Sequence, residues 1–444
     1  MEKKISIIGA GLVGSLLSIY LAKRGYKISV FERRADMRLA DTVAGRSINL
    51  ALSDRGIKAL EEVGIMEEIR KIAIPMHGRE MHSTDGNTTY QPYGQKGQFI
   101  NSVSRAQLNM KLMDLAEEKG VAIFFEKKLQ HINWQKNELV FEDGQSEISD
   151  IIFGSDGAYS AARLTHQLQS DRFQYDQFYI DFGYKELNIP ADKNGSFLLK
   201  ENALHIWPRK NYMLIALPNT DGSFTCTLFF PFEGNPSFES LDTKEKVREF
   251  FNETFSDVSA FMPNLEKDFF DNPTGSLVTI KCYPWIRKDQ FSLIGDAAHA
   301  IVPFFGQGMN CGFEDCSVLN SLIDKYAENW EHILKEFQQL RKPDADAIAE
   351  LALNNFVEMR DKVADKQFLL QKKIEAEFSS KHPDKWTPAY GMVTFSPHIR
   401  YSEAKEIGSK QQSIMDKIMN IPGIEEKWQE EEVEMMILTE LQKQ

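Results

Sequence analysis

Cysteine is scarce, at 4 residues in 444, too few to staple a chain of this length into a disulfide framework. Cys311 and Cys316 stand in neither CxxC nor zinc-ligand spacing and read as small buried apolar residues. This usage points to a reduced, cytoplasmic protein. A surplus of positive charge is also missing: Lys plus Arg is 52 against 65 for Asp plus Glu, a net charge of −13. Nucleic acid or an anionic membrane surface is thereby excluded as the main partner. Any polyanionic ligand must be held by local cations or backbone N–H groups. There is no HExxH, no paired-Cys zinc spacing and no supported Ser-His-Asp set, so no metal is implied. Internal repeats and low-complexity linkers are absent. Only one long uncharged apolar run occurs, Ile5–Ala22, flanked by Lys3, Lys4, Lys23 and Arg24. Gly9, Gly11 and Gly14 split it into a strand half and a helix half, which argues against a signal peptide or membrane span. The C-terminus is acidic and amphipathic, with no anchor.

What is present is ordinary for a soluble globular protein: 42% hydrophobic and 26% charged residues. At roughly 150 residues per domain the length suggests about three domain-sized units. Residues 4–8 read as a buried strand, 12–23 as a helix and 27–31 as the next strand, a βαβ unit with parallel strands. Residues 107–119 look helical, and 121–153 alternate short strands with turns such as Glu142-Asp143-Gly144. From 178 to 232 the pattern is strand-rich, with runs at 197–199, 212–217 and 224–230 separated by Pro-Asn and Asp-Gly turns, which suggests an antiparallel sheet. Residues 289–299 read as strand then loop. Helical periodicity dominates from about 312 to 380 and returns over 403–444.

Three motifs carry chemistry. Gly9-Ala10-Gly11-Leu12-Val13-Gly14 follows a strand and opens a helix. The first glycine permits the tight turn, the second lets backbone approach a pyrophosphate, and the third lets helix and strand pack closely. The helix N-terminus adds free N–H groups and the positive end of its dipole. Glu32 closes the second strand 18 positions after Gly14, where a carboxylate can accept from a ribose diol. Arg33 and Arg34 follow it and either flank an adenosine or are solvated. The second motif is Gly154-Ser155-Asp156-Gly157, closing an apolar strand. The third is Gly295-Asp296-Ala297-Ala298-His299, followed by Pro303; Asp296 suits a ribityl hydroxyl, and His299 reads as structural. Gly306-Gln307-Gly308-Met309-Asn310 then opens a helix whose N–H groups can face the pyrimidine edge of a flavin and stabilise the anionic reduced ring.

In this order and at these separations the motifs resemble the single-component FAD-dependent aromatic hydroxylases, the group typified by para-hydroxybenzoate hydroxylase, and within it the branch that hydroxylates kynurenine. The resemblance is carried by Gly45–Arg55 (GRSINLALSDR), Gly78–Ser83 (GREMHS), Gln91–Gly94 (QPYG), Ser102–Arg105 (SVSR), Ala216–Phe229 around ALPN and FTCTLF, Val302–Asp315 (VPFFGQGMNCGFED), Asn355–Arg360 (NFVEMR) and Met392–Tyr401 (MVTFSPHIRY). These stretches span about residues 1–405; the tail from about 406 matches no motif. The membrane anchor at the C-terminus of eukaryotic members has no counterpart here.

The resemblance implies an α/β chain with α+β elements: a Rossmann-like FAD-binding domain (1–75, 100–178 and 275–330), an inserted antiparallel-sheet substrate domain (76–99 and 179–274), and a C-terminal helical region (331–444). It implies FAD contacts at Val13, Glu32, Arg33, Arg34, Ala51, Arg105, Leu129, Asp296, Met309 and Asn310, beside Gly9, Gly11, Gly14, Asp156 and Gly308 of the motifs. It implies that Arg79, Tyr93, Asn355 and Tyr401 grip the amino-acid end of L-kynurenine. Chemistry supports that choice, since a carboxylate in a dry pocket needs a fixed cation and Arg offers a two-pronged planar donor. Glu358 lies three residues after Asn355 on one helix face and can meet the substrate ammonium or orient Tyr401. Phe304 and Phe305 can wall the aromatic pocket. No side-chain nucleophile is needed: the reaction implied joins L-kynurenine, NADPH and O2 through a flavin hydroperoxide, giving 3-hydroxykynurenine for tryptophan degradation or NAD biosynthesis. With no second clean GxGxxG, NADPH docks transiently, attracted by Arg33, Arg34, Arg38 and Arg46. The alternatives are a related hydroxylase acting on another aromatic and a flavin-binding scaffold without turnover; the WxWxIP pattern of flavin halogenases is absent.

Overall fold

Strand Lys4–Ile8 carries Ile5, Ile7 and Ile8 in the core, and such an apolar strand is stable only when covered on both faces. It lies in the middle of a six-stranded sheet that joins N-terminal strands to strands from 151–154 and 286–293. The order runs 286–287, 291–293, 151–154, 4–8, 27–31, 122–124, parallel except at the 286–287 edge. Helix Leu12–Ala22 follows the first strand and crosses over to Lys27–Phe31. The computed structural model describes residues 3–39, 48–94, 97–361 and 365–443, with side chains left aside at 359–361. Arg46 and part of the Gly45–Arg55 stretch lie outside the described residues.

A second sheet has seven strands. Its order is 275–283, 174–189, 224–231, 212–218, 203–209, 78–82, 88–92; its strands are antiparallel save for the parallel pair of 203–209 with 78–82. Strand Gly275–Tyr283 therefore belongs to this sheet and not to the FAD-binding unit, and strand Gln174–Ile189 begins before residue 179. Sixteen residues in one strand bridge the two units, so the boundary falls inside the strand. One face of the second sheet turns to the core through Leu187, Trp207, Leu214 and Phe230, where helices Lys244–Thr254 and Leu265–Asp271 cover it. Sequence patterning did not anticipate these helices. No strand forms at 197–199; three consecutive apolar residues lack strand alternation, and they pack as a loop against that same core.

The C-terminal region is helical as expected, with helices Trp330–Asp361, Lys366–Lys381, Ala389–Phe395, Tyr401–Met419 and Glu431–Gln442. Its beginning is not separate from the FAD-binding unit, because Ile333, Leu334 and Phe337 join the same core as the first strand. Its end forms a core of its own around Ile374, Trp386, Ile414 and Ile437. No helix among the described residues is long and apolar enough to cross a membrane.

Candidate active site

A single cavity of about 1180 Å3 runs along the seam between the two sheets and on into the C-terminal helices. That exceeds the roughly 300–1,000 Å3 of a pocket for one small molecule. One end is built from the glycine-rich turn. Gly9 has φ +98, so any side chain there is strained. A Cβ at Gly14 would stand 2.0 Å from the Gly9 carbonyl oxygen, so Gly14 lies behind the cavity wall and sets helix against strand. A Cβ at Gly11 would meet no protein atom within 4 Å, and Gly11 lines the cavity. The turn thus presents backbone to the cavity at Gly9 and Gly11, and of the two only Gly11 has open space where a side chain would stand.

This contrast yields a prediction. Gly14→Ala should lower the thermal midpoint of the apoprotein and abolish FAD retention together. Gly11→Val should leave the apoprotein midpoint unchanged while weakening FAD at least tenfold, about 1.4 kcal/mol. Calorimetry of the apoproteins and fluorescence titration with FAD check both.

Around this end stand Val13, Glu32, Arg33, Arg34, Arg105, Lys127, Lys128 and Leu129, all lining the cavity. Glu32 is buried and accepts from the Ala10 N–H at 3.0 Å and from Arg34 Nε at 2.8 Å. Burial works to raise its pKa, but the Arg34 guanidinium and two backbone N–H groups outweigh it and hold the carboxyl below the usual range. Arg38 does not join them, because Asp36, Asp114 and Glu117 neutralise it. Asp156 borders the cavity, but its carboxylate turns back to accept from Ser160 Oγ and the N–H groups of Ala161 and Ala162. Its carboxylate secures the start of helix Ala161–Leu168, while the residue stays in the cavity wall.

Midway, Ala51, Asp296, Gly306, Gly308 and Met309 form the wall. Helix Gly308–Tyr326 begins here, and its first-turn N–H groups have no intrahelical acceptor. Asn310, expected at the cofactor, is fully buried and faces away. It accepts from the Ser53 N–H at 2.9 Å and donates to the carbonyls of Ala51 and Gly306 at 2.8 and 2.9 Å. Its side chain ties the loop to the end of strand Asn49–Leu52. The cofactor fits this frame: bare backbone at Gly11, a carboxylate at Glu32 and a helix N-terminus at Gly308 mark out an extended dinucleotide.

Beyond the loop the cavity becomes aromatic. Phe304 packs on Phe356 with ring centroids 4.4 Å apart, and Phe229 closes the other side at 5.1 Å. Met213, Ile215 and Leu217 project alternately from one strand into the same space. At its far side Arg79, on strand Gly78–His82, lies between two phenol rings, 5.1 Å from the Tyr93 centroid and 4.4 Å from that of Tyr390. Among the described residues it has no carboxylate partner. Burial works to lower its pKa, but the two phenols outweigh it and raise it above the ordinary guanidinium value. Among the described residues the buried Tyr93 hydroxyl, in the cavity wall, has no hydrogen-bond partner. Asn355 donates to the Phe304 carbonyl at 2.7 Å, and both it and Glu358 line the cavity.

Tyr401 is the main correction. Its ring has no solvent or cavity exposure, and its hydroxyl donates to Gln307 Oε1 at 2.8 Å. Tyr390, on helix Ala389–Phe395, occupies the position expected of it, stacked on Phe305 at 5.4 Å. Both tyrosines sit on one short C-terminal segment, so motif matching alone does not separate them. The apolar environment beside Pro388 is the only sequence signal for Tyr390. Past it the cavity continues between helices along Lys372, Glu375, Lys405 and Ser409.

A family model described as an FAD binding domain matches residues 2–352. The chain is 52% identical over 449 residues to the kynurenine 3-monooxygenase of Christiangramia forsetii, covering 100% of this chain and 99% of that one. It is 52% identical over 447 residues to the enzyme of the same name in Flavobacterium johnsoniae, with 99% of each covered. Among solved structures, a tetrameric form of 2-methyl-3-hydroxypyridine-5-carboxylic acid oxygenase superposes with a TM-score of 0.69 at 19% identity, over 83% of this chain and 95% of that one, which speaks to the fold alone.

Proposed function

The chain belongs to the kynurenine 3-monooxygenase family, and from that membership we propose how its residues divide the work. It is an FAD-dependent monooxygenase that hydroxylates L-kynurenine to 3-hydroxykynurenine with NADPH and O2. The observation that carries the residue assignment is the uncompensated guanidinium of Arg79, framed by two phenols at the end of an aromatic cavity that begins at a dinucleotide turn.

Gly9, Gly11, Val13 and Glu32 hold the adenosine and pyrophosphate of FAD, with Arg33, Arg34, Arg105 and Leu129 beside them. Asp296 takes the ribityl chain. Ala51, Gly308 and Met309 meet the ring, which supplies the redox and oxygen-activating chemistry when bound. Arg79 binds the substrate α-carboxylate, and the Tyr93 hydroxyl satisfies its orphaned bond on the same group. Tyr390 takes the role expected of Tyr401, and Asn355 fixes Phe304 so that the aniline ring slides between Phe304 and Phe305. Glu358 faces the ammonium. Met213, Phe229 and the two phenylalanines keep water from the reacting carbon. The residues at which NADPH docks are left unassigned. The four buried, unpaired cysteines support a reducing, cytoplasmic setting.

Steady-state NADPH oxidation by the FAD-loaded protein tests the reading. L-kynurenine should accelerate it and yield the 3-hydroxylated product, whereas para-hydroxybenzoate should do neither. Equal rates with and without kynurenine, and no hydroxylated product, would reject it.

A further inference from the structure

The buried environment of Tyr401 assigns it another task. The loop 303–308 carries the backbone of the flavin-facing wall, and it has no regular partner strand. It is held instead by side chains beneath it. Gln307 is buried; its Nε2 reaches Ser53 Oγ at 3.4 Å and its Oε1 accepts from the Tyr401 hydroxyl at 2.8 Å. Its carbonyl accepts the first backbone hydrogen bond of helix Gly308–Tyr326, from the Cys311 N–H at 2.8 Å. The orientation of Gln307 therefore sets where that helix starts.

Tyr401 is itself fixed on three sides. The Arg55 guanidinium lies over its ring at 4.0 Å. Arg55 in turn donates to the Val393 carbonyl at 2.7 Å and pairs with Glu314 at 2.5 Å. The start of helix Tyr401–Met419 is pinned by Asp344, which accepts from the Ser402 N–H at 3.1 Å and hydroxyl at 2.6 Å. Tyr401 is thus a rigid strut from the C-terminal helices to the underside of the loop.

We propose that Tyr401 is a positioning residue that acts through Gln307 to hold the Gly308–Met309 backbone against the flavin ring, and that it never touches substrate. The C-terminal region thereby governs how tightly oxygen chemistry is coupled to hydroxylation. Removing the hydroxyl leaves Gln307 Oε1 a buried acceptor without its donor, which the loop can relieve only by shifting. This inference rests on the reading that Gly308 and Met309 face the flavin.

The test uses FAD-loaded Tyr401→Phe, a substitution that keeps the ring and its contact with Arg55. The bound-flavin absorption band and midpoint potential should move, and hydrogen peroxide released per NADPH should rise severalfold. The dissociation constant for L-kynurenine should stay within twofold. Gln307→Met should reproduce these shifts, and the double variant should add nothing further, as expected of two groups acting as one unit. A tenfold weaker kynurenine affinity with unchanged flavin signals would overturn the proposal, because it would make Tyr401 a substrate contact. So would additive flavin shifts, or none. If the wild type itself ignores kynurenine, the functional reading has failed, and the midpoint potentials still decide the role of Tyr401.

Discussion

Arg79→Met is expected to strip the protein of L-kynurenine while leaving its FAD and its fold. The side chain projects from a strand paired on both sides, makes no ion pair among the described residues, and lies between the rings of Tyr93 and Tyr390. Nothing in the protein is left with an unpaired charge when it goes, so the apoprotein should lose little stability. The bound zwitterion, by contrast, would lose the cation proposed to hold its carboxylate. Truncating one partner of such a charge pair costs about 2–4 kcal/mol, which is roughly thirty- to several-hundred-fold in affinity. Fluorescence titration with kynurenine against unchanged FAD content reads both halves. Affinity within a factor of three of wild type would show that the guanidinium serves the two phenols and not the ligand.

Arg341→Met is expected to do the opposite, damaging the fold before any ligand is added. Arg341 is buried on helix Trp330–Asp361. Its Nε donates to Asp315 at 2.7 Å, and its Nη1 reaches Glu314 at 2.6 Å and Asp344 at 3.2 Å. Asp315 also receives His299 Nε2 at 2.7 Å and the Gly295 N–H at 3.0 Å. Breaking a buried ionic group by removing one partner costs about 3–5 kcal/mol, since the remaining carboxylates stay behind in a poor solvent. The apoprotein's urea midpoint should fall accordingly, and no change would show that the web is relaxed by water. The web also has a pH signature. Burial lowers the His299 pKa, but the Asp315 carboxylate beside it raises it well above the ordinary imidazole value. A group shifted in that direction adds stability that is complete below about pH 6.5 and is lost as pH rises through the raised value. Burial raises the Asp315 pKa, but His299 and Arg341 hold it below the usual range, so its share is present above about pH 4 and is lost as pH falls through the lowered value. The stability difference between wild type and His299→Gln should therefore stay level from about pH 5 to 6.5 and shrink above that.

The parts of this molecule that were legible in the sequence share one property: their chemistry depends on backbone and neighbours close in the chain. The strand, turn and helix of residues 4–22 need three glycines at fixed offsets, and no distant residue can replace them. Glu32 follows from the same unit, because its strand pairs with the first residue for residue. The turn at Gly308 is local too. What was hidden depends on which face of a short helix meets the cavity. Tyr390 and Tyr401 differ only in that respect, and the answer is set by Arg55 and Asp344, which come from helices far away in the chain. The protein partners of the Asp156 and Asn310 side chains were hidden for a related reason. Each sits beside the expected ligand, but a polar side chain next to a helix start can satisfy its neighbours' N–H groups in place of a cofactor. The helices between 244 and 271 were missed because their apolar residues are matched to the outer face of a sheet, not to a regular heptad.

The central claim is that one guanidinium recognises one carboxylate. A thermodynamic cycle tests it most directly: dissociation constants of L-kynurenine and of kynuramine, which lacks the α-carboxylate, measured on wild type and on Arg79→Met. The account predicts that wild type prefers L-kynurenine by at least about thirtyfold, near 2 kcal/mol, and that the variant binds the two ligands alike. A preference of the same size in both proteins would contradict it, for the carboxylate would then be held by some other group.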